Sequence, residues 1–220
     1  MSLDQARLAK VMSLPLWAGA HQPNSTYCVM EAVAFVAGES WSDAPACTCP
    51  VIGAFMRSWN DGLPTNDDRD RLLKPLIPKL IGTRASKKIE RRRSYMALDW
   101  LVRVFTPEWL DLVPSLHEHA KALREHEEIA DLAGATAVGE KAAAAGAAAG
   151  YAAWDAAWDA AGAAAWAAAG YAAGAAAWDA ARAAAWAAAR AAAEDALAPT
   201  TKWLQASAVT LVERMCDLHE

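Results

Sequence analysis

The stretch from Ala152 to Ala196, AAWDAAWDAAGAAAWAAAGYAAGAAAWDAARAAAWAAARAAAEDA, decides how this chain is read. It belongs to a segment, residues 142–198, that is about two-thirds alanine, and alanine is the strongest helix former, so the run outweighs the cost of its glycines, about 1 kcal/mol each. A residue that is large, charged or glycine recurs every fourth position: Gly146, Gly150, Trp154, Trp158, Gly162, Trp166, Gly170, Gly174, Trp178, Arg182, Trp186, Arg190 and Glu194. Because an α-helix turns every 3.6 residues, a tetrad period moves the marker about 40° round the axis at each step. Measured from Trp154, the tryptophans at 158, 166, 178 and 186 then fall near about 40°, 120°, 240° and 320°. No straight helix buries all five on one face. Either the run breaks, with Gly170–Gly174 as the weakest point, or neighbours wrap round it along a right-handed stripe.

Unbroken from Lys141 to Ala198, the run would be about 85 Å long. It either folds back on itself or projects and binds something. A membrane span is disfavoured, because Asp155, Asp159, Asp179, Arg182 and Arg190 each cost about 2.5–3.5 kcal/mol at a bilayer centre and alanine offers little in return.

Outward from the run, strand patterns are scarce and helix punctuation recurs. Ser2 or Asp4 opens a short first helix. Asn24 or Ser25 is the expected N-cap of a buried second helix that Gly38 ends, with Val29, Val33 and Val36 at helical spacing. Pro50 sits at a first helical position, with Val51, Phe55 and Trp59 on one face. Thr65 and Asp68 have capping-box spacing, and Pro75 and Pro78 cut the following segment into short turns. Ser86 opens a helix whose apolar stripe is read as Ile89, Met96, Ala97, Trp100, Leu101 and Val104. Thr106 and Pro107 begin the next. Pro199 is expected to break the alanine run, with Thr200 or Thr201 capping a last helix that carries Trp203, Leu204, Val209, Leu211, Val212 and Met215. The fold class expected is all-α: a helical domain over residues 1–138, an alanine–tryptophan element over 139–198 that breaks near Gly170–Gly174, and a C-terminal helix over 199–220 that packs back.

The stretches CVMEAVAFVAGESWSDAPACTCPVIGAFMRSWNDGL (28–63), LLKPLIPKLIGTR (72–84), MALDWLVRVFTPEWL (96–110) and LAPTTKWLQASAVTLVERM (197–215), with the alanine repeat, resemble a family of uncharacterised bacterial and bacteriophage proteins. The resemblance covers most of the chain and implies no activity. Some alanine-repeat proteins of this look are labelled immunity proteins, an association that assigns no residue a role.

The formal net charge of −5 argues against broad attraction to nucleic acid or anionic membrane. Asp4 and the absence of a long apolar start argue against a secretory signal, and four scattered cysteines fit a reducing compartment, so the cytoplasm is expected. Cys47 and Cys49 with Cys28 and His21 offer thiolate ligands, but a second closely spaced pair is missing, and free buried thiols are the expectation rather than zinc. His119, Leu123 and His126 share a helix face with Glu118 and Glu127 nearby. The histidines stand about 10 Å apart along it, so a solvated face is expected. No nucleophile elbow, phosphate loop or metalloprotease pattern is present, and no catalytic residue, metal or cofactor is expected.

The candidate binding residues are Trp41 and Asp43 in the loop 38–49, the repeat tryptophans Trp154, Trp158, Trp166, Trp178 and Trp186, and the basic edge Arg84, Lys87, Lys88 and Arg91, which the acidic segment 66–70 balances. These point to a non-enzymatic interaction protein that binds a protein partner through helical surfaces, as an immunity-like or phage-encoded inhibitor would. Self-association would also cover the tryptophans. The alternative is a sequestering protein with an aromatic-lined pocket between helices for a small apolar ligand.

Overall fold

A computed structural model describes residues 3–23, 26–149 and 175–219, and for 175–195 it describes the backbone. The expected break at Gly170–Gly174 lies outside the described residues. The described elements are helical, with one isolated bridge between Leu16 and Tyr27, so the chain is all-α. By proximity the chain divides into two compact units, one made of residues 1–98, 129–131 and 205–220, the other of 99–128 and 132–204.

The first unit is built round α2 (Val29–Ala37), in which every residue but Phe35 and Ala37 is buried. A helix that is apolar on all sides needs neighbours on all sides. It packs against α1 (Gln5–Met12), α3 (Pro50–Gly62) and α5 (Ile77–Leu80). Local chemistry sets these boundaries. Asp4 caps α1 through the Arg7 N–H, and Gly38 ends α2 with φ 74°, a left-handed conformation glycine adopts without strain. Pro50 starts α3, where a missing N–H costs nothing. Thr65 caps α4 (Asn66–Leu73) by accepting from the Asp68 N–H, while its own hydroxyl donates to the Asp68 carboxylate at 2.8 Å. Pro75 and Pro78 divide the next stretch into a 3-10 turn, Lys74–Leu76, and α5, as their spacing predicts.

The cap of α2 differs from expectation. It is Cys28, whose sulfur accepts from the Glu31 N–H while the Glu31 carboxylate accepts from the Cys28 N–H at 2.8 Å. Asn24 and Ser25 lie outside the described residues, and the helix begins after them because Tyr27 is held in the bridge to Leu16.

The polar groups inside this unit tie the loop between α1 and α2 to α3 and α4. Asn60 accepts from the Val29 N–H and donates to the Trp17 carbonyl, and Asp70 accepts from the Leu16 N–H. Arg69 donates to the carbonyls of Asn60 and Leu63, and Lys74 donates to the Met12 carbonyl. Buried polar atoms cost little once paired in this way.

α6 (Lys87–Trp100) begins after Ser86 and buries Ile89, Glu90 and Arg93. It runs into a π-helical turn, Leu101–Phe105, and then α7 (Thr106–Leu110). The wider turn has a specific cause: Pro107 has no N–H for the Arg103 carbonyl and its ring crowds that position. The Thr106 hydroxyl also bonds the Leu101 carbonyl at 2.8 Å. The extra residue rotates the face, which corrects the expected stripe: Val102 is buried and Leu101 is exposed.

In the second unit the π turn, α7 and α8 (His117–Arg124) pack together. Arg124 bonds Glu108 at 3.1 Å and Asp111 at 2.6 Å, holding α8 to α7. The rings of Phe105 and Trp100, and of Phe105 and Trp109, lie 5.3 and 6.1 Å apart. α9 (132–149) buries Val138 and Ala145, two turns apart.

α10 spans Ala175–Cys216 with Pro199 inside it. The break expected at Pro199 is absent. Proline removes one hydrogen bond, to the Asp195 carbonyl, at a cost of about 3 kcal/mol, and the helical residues on both sides carry the backbone through it. Leu204, Ala208, Leu211, Val212 and Met215 form its buried stripe, while Trp203, carried on the same helix, is exposed.

Candidate functional site

The loop 39–49 begins where the left-handed Gly38 turns the chain out of α2 and ends where Pro50 starts α3. Its aromatic residue is an anchor. Trp41 Nε1 donates to the His21 carbonyl at 2.9 Å, and its ring lies 5.2 Å from that of Tyr27. Glu39 accepts from the Ala46 N–H at 2.6 Å, which closes the loop on itself. Asp43 meets Arg57: the guanidinium donates to the Asp43 carbonyl at 2.9 Å and stands 3.9 Å from its carboxylate.

Beside this contact is a pocket of about 120 Å³. Met30 of α2, Ala44 and Pro45 of the loop, Thr48, Cys49 and Pro50 at the start of α3, Gly53 and Arg57 one and two turns further on, and Arg84 line it. Met30, Pro45, Thr48 and Cys49 are buried, and Arg84 is exposed, so the apolar groups form the inner wall and the guanidinium the mouth. The Thr48 hydroxyl is turned to the Leu80 carbonyl at 3.3 Å, and Thr83 accepts from the Cys49 N–H at 3.0 Å, which fixes the inner wall from behind. Gly53 faces this space without a side chain: a β-carbon there would stand in ordinary contact, 3.6 Å, with Arg57 Nη1 and with Met30 Cε.

The structure thus brings two sequence candidates to one place, Asp43 through Arg57 and Arg84 directly. Met30, Gly53 and Arg57 carried no motif. The rest of the basic edge faces outward: Lys87, Lys88 and Arg91 are exposed. Glu90 balances it, not the acidic segment 66–70, because Lys87 lies 2.7 Å and Arg84 Nε 3.5 Å from its carboxylate. Lys87 above all holds that carboxylate below its ordinary pKa.

The four cysteines are free and buried. Burial pushes the thiols of Cys28 and Cys216 up to about 12 and raises that of Cys47. A thiol in that state is a poor nucleophile and a poor metal ligand. His21 Nδ1 lies 2.9 Å from Glu31, which also accepts from the His21 and Cys28 backbone, so this pair locks the loop onto α2. Among the described residues no group of three or more His, Cys, Asp or Glu side chains is placed to hold a metal ion. His126 Nδ1 lies 3.4 Å from Lys141 Nζ, a cation where a metal site would need a ligand.

Trp154, Trp158 and Trp166 lie outside the described residues, and Trp178 and Trp186 lie on α10 where its side chains are not described. Elsewhere in the second unit Leu101, Leu112, Val113, Leu132 and Trp203 are exposed, Leu132 at 71% and Trp203 at 48%. Among the described residues no helix is long and apolar enough to cross a membrane. No protein-family model, curated protein or solved structure matches the chain.

Proposed function

We propose that the chain is a non-enzymatic interaction protein that binds a protein partner through helical surfaces of its second unit. The observation that carries this reading is the set of large apolar side chains that unit leaves in water, Leu132 and Trp203 foremost. Exposed apolar groups of this size are the material of interface cores, and tryptophan is the residue most enriched among binding anchors. An inhibitor or immunity-like protein falls within this class, with an enzyme or toxin as partner.

The experiment is affinity capture from a native host extract by the wild-type chain and by a Leu132→Glu, Trp203→Ser double variant, with mass-spectrometric identification. A partner held by the wild type and lost by a variant of unchanged melting temperature bears the reading out. Identical capture by both sinks it.

A further inference from the structure

We propose that the pocket between α2, the loop 39–49 and the start of α3 is a binding site for a short-chain carboxylate, a small acid whose head meets Arg84 and Arg57 and whose apolar stem lies on Met30, Pro45 and Pro50. This site is separate from the apolar surface of the second unit.

Three observations converge on that ligand. The first is charge. Arg57 stands 3.9 Å from the Asp43 carboxylate, beyond hydrogen-bond length, and Arg84 stands 3.5 Å from a Glu90 carboxylate that Lys87 already holds at 2.7 Å. A guanidinium has five N–H donors in a fork that matches a carboxylate, more than these contacts use. The positive end of the α3 dipole adds to the same field, since Cys49 leaves the helix start without a side-chain cap.

The second is the inner wall. Its side chains are apolar, and its polar groups are already spent: the Thr48 hydroxyl on Leu80 and the Cys49 N–H on Thr83. A bare inorganic oxyanion would leave that wall dry and unused. An alkyl stem fills it.

The third is size. The space, about 120 Å³, suits a small molecule of a few heavy atoms. Acetate, propionate and butyrate are of that size. A drug-sized ligand needs about 300 Å³ or more.

The test titrates the full chain with sodium acetate, propionate, butyrate and phosphate at constant ionic strength, with sodium chloride as the control, following the amide signals of Thr48, Cys49 and Gly53 by NMR. Saturable shifts with propionate are expected, with affinity rising about fourfold per added methylene until the space is full. Arg84→Met should weaken propionate binding about tenfold or more, the loss of a charge-assisted bond. Gly53→Ala, which places a methyl group in ordinary contact with Met30, should abolish it while the protein stays folded. Wild-type protein that responds to propionate as it does to chloride overturns the proposal. So does a site that phosphate saturates and propionate does not, or equal propionate binding by Arg84→Met. None of these outcomes touches partner capture through Leu132 and Trp203.

Discussion

Arg93 Nε donates a 2.7 Å hydrogen bond to the carbonyl oxygen of Met215, across more than half the length of the chain. The same guanidinium reaches the carbonyls of Thr83 at 2.5 Å and Leu218 at 2.9 Å, and the side chain is fully buried. A helix C-terminus presents unpaired carbonyls and a partial negative charge, and a buried cation there answers both. Arg93 is therefore the clamp of the C-terminal end of α10.

Replacing Arg93 by Met should leave three carbonyls unpaired and destabilise the protein by about 3 kcal/mol or more. Lysine, with one compact ammonium in place of the fork, should recover only part of that. Urea unfolding curves of the two variants check the order. A stable Arg93→Met protein would mean the clamp contributes nothing net.

The buried thiols set an alkaline limit. A group whose pKa is about 12 folded and near 9 unfolded stabilises the fold in full below pH 9, and that contribution is lost as pH rises from 9 towards 12. In reducing buffer the melting temperature should fall between pH 8 and pH 10.5, and Cys216→Ala should flatten the fall. A thiol reagent should leave native Cys28 and Cys216 unmodified at pH 8 and label them on unfolding. Fast labelling of the native protein would contradict their burial.

Thr65→Ala removes the α4 cap and should cost about 1 kcal/mol. Arg71 and then Thr65 hold the Asp68 carboxyl below its ordinary pKa, so the stabilisation they lend is present at neutral pH and disappears as pH falls through the acid range. Melting curves at pH 7 and pH 3 should therefore differ less in Thr65→Ala than in the wild type.

Pro199→Ala should return one backbone hydrogen bond to α10, from residue 199 to the Asp195 carbonyl, and raise stability by as much as about 3 kcal/mol. Circular dichroism and thermal melting check this. A lower melting temperature would show that the helix is shaped to the proline ring.

What the sequence made legible was whatever a few neighbouring residues decide. Asp4, Gly38, Pro50 and Thr65 mark boundaries because each acts on backbone groups within one turn of itself. The Cys28 cap was hidden because a thiol is a weak acceptor and is not read as a capping residue. The rotated face after Trp100 was hidden because the cause, Pro107, lies beyond the turn it distorts. At the pocket, the loop and Arg84 carried signals of their own. Nothing local joins Met30 to Gly53, Arg57 and Arg84: the packing of α3 against α2 brings the first three together, and a hydrogen bond from the Arg84 N–H to the Cys47 carbonyl adds the fourth. Arg93 stands in a run of three arginines, 91–93, where nothing local sets it apart, and its partners Met215 and Leu218 lie at the other end of the chain.

The burial of α2 bears on how this protein tolerates change. A surface helix accepts substitutions with a rhythm, every third or fourth position refusing and the rest permitting. From Cys28 to Val36 only Phe35 escapes full burial, and there Arg7 and Lys10 lie over its ring at 5.2 and 5.4 Å. That rhythm has nothing to mark in α2: a scan of all single substitutions should find an unbroken block of intolerance nine residues long, in a helix that gives no hint of its own geometry.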